Sequence, residues 1–176
     1  MTGKEFLNSL ANGQSDIVQI LLDIIAETAS LYCVIGGLAV NAYVEPVVSL
    51  DVDIVIAIKD MEATCHAAER RGLKVEQFEH SMNISSPKSD LRIQFQIDPR
   101  YQEFISRAEL KDVLGYKMYV ASLDDVLCGK VWAYTDQTRR RSKRQKDLAD
   151  ILRIIEIYPQ HKAKLPQSLQ EELERD

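Results

Sequence analysis

Asp51 and Asp53 are separated by one residue inside an apolar run, residues 50–58, among Val52, Ile54, Val55, Ile56 and Ile58. In an extended strand, residues two apart point to the same face. Two carboxylates held there repel each other and lose hydration, which is costly unless a cation or a donor lies between them. Such a pair suits Mg²⁺, a hard ion that takes oxygen ligands and keeps positions open for phosphate. The competing explanation is an edge strand with one solvated face, on which both acids are simply exposed.

A second feature favours the first explanation. Ile35-Gly36-Gly37 precedes Asp51 by thirteen intervening residues. Glycines at the end of a strand let the backbone turn sharply and approach a ligand closely, with amide groups free for phosphate oxygens. The glycine turn alone is weak evidence, because turns use glycine everywhere; in tandem with the acidic strand it describes a site for phosphate oxygens beside a divalent ion.

Ile35-Gly36-Gly37-Leu38-Ala39-Val40 and Ser49-Leu50-Asp51-Val52-Asp53-Ile54-Val55 resemble the two signature motifs of the DNA polymerase β-like nucleotidyltransferase superfamily. Within it the chain is most similar to the AbiEii-like nucleotidyltransferases, which include toxins of toxin–antitoxin systems. Asp125-Val126-Leu127-Cys128-Gly129-Lys130 resembles their helical lysine motif, and Lys143-Arg144-Gln145-Lys146-Asp147-Leu148-Ala149-Asp150 their helical aspartate motif. The resemblance covers residues 31–157. It implies transfer of a nucleoside monophosphate from an NTP to a hydroxyl or phosphate acceptor, with Mg²⁺ as cofactor. In that scheme Asp51 and Asp53 hold metal, Gly36 and Gly37 lie against the phosphates with Ser49 nearby, and Lys130 reaches a phosphate or pairs with Asp147.

The superfamily also supplies a third carboxylate from a later strand. Asp98 is the choice for that metal ligand here, although Gln94 and Gln96 occupy the polar face of the same strand. If either glutamine is the true equivalent, a second metal loses an anionic ligand, because a neutral amide oxygen is a weaker Mg²⁺ partner. Val47 stands where related toxins often carry an arginine. The toxin relatives make tRNA the first acceptor to consider and imply an antitoxin partner. Two other readings stay open: a catalytically degenerate member that binds nucleotide or a partner protein, and a small-molecule, antibiotic-modifying nucleotidyltransferase with a deep acidic pocket.

The elements that must position these residues follow from periodicity. Helical spacing predicts helices over residues 15–30, with Ser15 as N-cap, and 60–71, capped by Asp60. Short strands are expected at 31–35, 50–58 and 73–78, and a strictly alternating one at 91–97. Residues 38–43 read as a short helix, 79–90 as a polar connection, 101–110 as a helix and 113–121 as a strand or hairpin around Gly115. Helices over 123–134 and 142–157, the latter with a Ser142/Gln145 capping box, and a last polar helix from Pro166 close the chain. The expected fold class is α+β, a mixed sheet packed by helices. Residues 1–121 are expected to form the nucleotidyltransferase-like core, and 122–176 a C-terminal helical region packed on it.

Composition bounds the rest. With 176 residues, 45% hydrophobic and 28% charged, the chain is long and apolar enough for one ordinary core. No stretch reaches the roughly 20 apolar residues of a membrane span, and the first ten residues lack a secretory signal, so a cytoplasmic protein is expected. Cys33, Cys65 and Cys128 are scattered and read as apolar fillers, and His66, His80 and His161 show no metal-ligand spacing. A net charge of −5 argues against general coating of nucleic acid, yet residues 139–146 carry Arg139, Arg140, Arg141, Lys143, Arg144 and Lys146. That cluster is the expected contact for tRNA or for NTP phosphates.

Overall fold

The alternating residues of the 91–97 segment fold as the spacing predicts. In the computed structural model, which describes residues 1–175, Leu91, Ile93 and Phe95 are buried while Arg92 and Gln94 are exposed on the other face. This strand, β5 (Ser89–Gln96), lies fully parallel to β2 (Asp51–Ile56). On its other side β2 pairs antiparallel with β1 (Tyr32–Ile35). The seven strands are ordered β3-β4-β5-β2-β1-β7-β6, with β3 Lys74–Gln77, β4 Ser81–Ser86, β6 Glu109–Val113 and β7 Tyr116–Val120. Parallel β2/β5 and β1/β7 pairs alternate with antiparallel ones, giving a mixed sheet. The strand carrying the aspartates is interior, so the edge-strand explanation fails.

Helices α1 (Gly3–Leu10), α2 (Ile17–Glu27), α3 (Gly36–Val40) and α4 (Met61–Arg70) belong to the first half of the chain. Helices α5 (Leu123–Thr135), α6 (Arg141–Ile157) and α7 (Gln167–Glu172) follow the last strand. Helices α5 and α6 pack on each other and on α3. Lys143 of α6 bonds Asp51, so this layer covers the acidic side of β2, and Val52 and Ile54 point to the opposite, apolar side. No helix among the described residues is long and apolar enough to cross a membrane.

Several expectations are corrected. Asp16, not Ser15, caps α2, its carboxylate accepting from Gln19 N. Helix α3 starts at Gly36 itself rather than at Leu38. No Ser142/Gln145 capping box forms, because α6 already begins at Arg141. Asp60 precedes α4 without capping it and accepts from Leu31 N instead. The segment read as a helix over 101–110 is a 3-10 helix, Pro99–Arg107, followed by β6. Strand β4 lay hidden in a Ser- and Asn-rich segment with little apolar alternation, and β6 is charged because it is a sheet edge. Helix α1 was not expected; a Thr2/Glu5 capping box starts it, and Leu7 anchors it in the core.

Phe95 is fully buried in β5 and helps fix the strand against which the aspartates are registered. Phe95→Ala is expected to destabilise the fold by about 3–5 kcal/mol, seen as a lower urea midpoint with an unchanged m-value.

Candidate active site

Strand β1 ends at Ile35, opposite Asp53 on β2, and the chain turns at Gly36 directly into α3. Gly36 has φ +69°, a conformation most side chains avoid. A Cβ at this position would also collide with Asp53 Oδ2 and lie 3.1 Å from Asp53 Cβ and Cγ. The Asp53 carboxylate therefore rests on the bare backbone of the turn. Gly37 is different: a Cβ there would meet only Asp150 Oδ2, at 3.9 Å. Of the paired glycines, only Gly36 is required by geometry.

Asp51 and Asp53 line one cleft of about 320 Å³ together with Gly36, Gly37, Ser49, Lys130 and Asp147. The structure thus brings together all the sequence-derived site residues except Asp98. Asp98 lies two residues beyond the end of β5 and caps the following 3-10 helix, accepting from Arg100 N at 3.0 Å. Its Oδ2 accepts from Arg100 Nε at 2.9 Å and from the terminal nitrogen at 2.7 Å. The hydrogen bond to Arg100, set against slight desolvation, holds its carboxyl below the usual range. Asp98 is not part of the cleft lining, and no three His, Cys, Asp or Glu side chains among the described residues are grouped to hold a metal. Gln94 stands beside Asp53 in register, and Asn83 of β4 stands beside Gln94.

The two aspartates sit in different electrostatic settings. Asp51 Oδ1 lies 3.0 Å from Arg92 Nε, and Oδ2 lies 3.0 Å from Lys143 Nζ. Burial favours its neutral form, but the Lys143 hydrogen bond and charge, with Arg92, outweigh this and lower its pKa. Asp53 makes no side-chain hydrogen bond or ion pair among the described residues. Burial raises its pKa, Lys130 opposes the shift and the Asp51 charge adds to it. A carboxylate left like this beside another is the deficit a divalent ion would fill, and its oxygens are the hard donors Mg²⁺ takes. The residues fit that ion. Ser49 Oγ is occupied locally, accepting from Asp51 N at 3.2 Å.

Beneath the aspartates lies a buried charge network. Lys130 is 8% exposed and Asp147 2%, so Lys130 does not reach out to solvent. Its Nζ lies 3.0 Å from Asp147 Oδ1 and 2.6 Å from Asp150 Oδ2. Desolvation pulls the Lys130 pKa down, but Asp150 and Asp147 more than reverse this. Arg139 completes Asp147 at 2.8 Å, and Arg153 completes Asp150 at 2.7 Å. The Arg153 guanidinium also donates to the Glu45 carbonyl and to Asn41 Oδ1, while Asn41 holds Val47 through both its backbone groups. The loop delivering Val47, Val48 and Ser49 to the cleft is tied to the network in this way.

Sequence reading missed Arg92, Asp150 and Arg153 as individual cleft residues. Two signals were available: Arg92 shares the polar face with Gln94, and Asp150 lies one helical turn beyond Asp147. Of the α5 aromatics, Trp132 stacks on Phe104 and meets Tyr101 edge-on, and Tyr134, also packed against the core, donates its hydroxyl to Glu172.

The fold defined by this sheet and cleft is that of the nucleotidyltransferases. It is similar to the lincosamide antibiotic adenylyltransferase LnuA, with a TM-score of 0.56, 12% identity, and 81% of this chain and 98% of that one covered. It is also similar to ANT(2'')-Ia in complex with adenylyl-2''-tobramycin, with a TM-score of 0.58, 13% identity, and 79% and 86% covered. A nucleotidyltransferase-like protein from Paracoccidioides brasiliensis aligns at a TM-score of 0.50 and 18% identity, covering 85% and 75%. No curated protein matches the sequence. The family described as "Nucleotidyl transferase AbiEii toxin, Type IV TA system" matches residues 33–176. The chain belongs to that family and is a nucleotidyltransferase.

Gly36→Ala is expected to displace Asp53 and abolish any activity of the cleft, whereas Gly37→Ala keeps the wild-type melting temperature and a measurable rate. Lys130→Met, which takes from buried Asp147 and half-buried Asp150 the cation they share and leaves them only Arg139 and Arg153, should lower stability in chemical denaturation by up to about 3–5 kcal/mol.

Proposed function

We propose that this chain transfers a nucleoside monophosphate from an NTP to an RNA end, tRNA first among candidates, as the toxin of a type IV toxin–antitoxin pair. The observation that carries the reading is the pairing of Asp51 with Asp53 against Gly36, inside a cleft whose rim is cationic. Asp51 and Asp53 would hold Mg²⁺, which when bound offsets triphosphate charge. Gly36 and Gly37 place the start of α3 beside the aspartates, close to where the triphosphate would lie. Lys143 is placed to leave Asp51 for a phosphate oxygen, since its side chain is 39% exposed. The acceptor hydroxyl attacks the α-phosphorus; its new P–O bond replaces the bond to the β-phosphate, pyrophosphate departs, and the hydroxyl proton passes to water. Lys130, held by Asp147 and Asp150, positions the cleft floor rather than reaching outward.

The acceptor assignment rests on charge. Within the basic run, Arg139 binds Asp147, Lys143 binds Asp51, and Arg144 donates to the Tyr134 carbonyl. Arg140, Arg141 and Lys146 stay exposed beside the cleft and suit a polyanion. A small cationic acceptor calls for a deep acidic pocket. Here Asp125 is held by Arg107, and Asp147 and Asp150 by Lys130, Arg139 and Arg153, so little free negative charge remains. The second reading, a nucleotide-binding protein without turnover, is favoured by one observation: Gln94 rather than a carboxylate stands beside Asp53.

The test is incubation with each labelled NTP, Mg²⁺ and total RNA. Label is expected on RNA, falling about 100-fold or more in Asp51→Asn and Asp53→Asn but staying near wild type in Asp98→Asn. Retained NTP binding with no labelled product and no pyrophosphate would support the non-catalytic reading instead. A combined Arg140→Ala, Arg141→Ala, Lys146→Ala variant should weaken RNA binding and flatten its salt dependence, by about 0.7 in logarithmic slope for each phosphate no longer neutralised.

A further inference from the structure

Asp53 is the cleft carboxylate that no side chain satisfies among the described residues, whereas every other acid lining the cleft already has a cationic partner. Asp125 receives both Arg107 bonds, at 2.8 and 2.9 Å. Asp147 and Asp150 share Lys130 and are completed by Arg139 and Arg153. Asp51 lies between Arg92 and Lys143, one on each oxygen. We propose that the cleft takes one divalent ion with the nucleotide rather than two, and that Arg92 supplies positive charge where a second ion would otherwise lie. This deepens the proposed function and rests on it.

Two ions bridged by a shared carboxylate need a further anionic oxygen on the outer ion. In this sheet the residues running outward from Asp53 are Gln94 and then Asn83, both neutral amides. The residue level with Asp51 is Arg92, whose guanidinium stays charged at any accessible pH. A second divalent ion there would meet a permanent positive charge, held on Asp51, and weak ligands together. Asp147 and Asp150 cannot turn to serve it without leaving Lys130 unpaired in a buried setting, and Asp98 is engaged by Arg100 outside the cleft. The first ion is different: Asp53 is free for it, and Lys143 is flexible enough to yield its hold on Asp51.

The experiment counts Mn²⁺ bound to the full chain with an α,β-methylene NTP analogue, from loss of the free-ion signal in electron paramagnetic resonance. One Mn²⁺ per protein–nucleotide complex is expected in the wild type, and two in an Arg92→Ala, Gln94→Asp double variant. Two in the wild type overturn the inference while leaving nucleotidyl transfer intact. One in a folded double variant removes the argument from Arg92 and the neutral amide and also overturns it. No protein-dependent Mn²⁺ uptake at all contradicts both this inference and the metal-dependent function. One Mn²⁺ in a chain that transfers no nucleotide overturns the function alone.

Discussion

Two like charges on one face of an interior strand set the terms for the rest of this molecule. Asp51 and Asp53 cannot separate, because the period of the strand fixes them on the same side and β1 and β5 hold the strand from both edges. They cannot both be satisfied by solvent, because α5 and α6 cover that side. The protein balances one of them with Arg92 and Lys143 and leaves the other against the bare backbone of Gly36. The imbalance is local and directional, and it is where the proposed function seats a cation that arrives with its own anionic cargo.

The buried network behind the aspartates makes this imbalance sustainable. Lys130 contributes positive charge that lowers the cost of an ionised Asp53, yet it is itself neutralised by Asp147 and Asp150. Losing Lys130 would leave buried Asp147 with only the half-exposed Arg139, so the network resists rearrangement. Through Arg153 and Asn41 the same network holds the loop that leads into β2. The cleft floor, the loop and the strand carrying the aspartates are thereby tied together.

Much of this was legible in the sequence because the decisive features are local. Strand period alone placed Asp51 and Asp53 together, and the alternation of Leu91, Ile93 and Phe95 announced β5. Gly36 was visible as a turn, although the separate roles of Gly36 and Gly37 were not, since only the approach of Asp53 distinguishes them. The place of Asp98 outside the cleft lining was not legible, because sequence order shows that an acid follows a strand but not that Arg100 turns back to claim it. The row of neutral amides running outward from Asp53, Gln94 and then Asn83, depends on register among three strands, one of them polar enough to pass as a loop. The basic run looked like one surface; tertiary packing divides it between Asp51, Asp147, the end of α5 and solvent.

The central claim is that Asp51 and Asp53 form a metal-dependent nucleotide site. Calorimetric titration of a non-hydrolysable NTP analogue into the wild type and into a folded Asp51→Asn, Asp53→Asn double variant, each with and without Mg²⁺, tests it most directly. Binding that requires Mg²⁺ in the wild type and loses that requirement, or disappears, in the double variant is the predicted result. Equal Mg²⁺-dependent binding by both proteins would contradict the account.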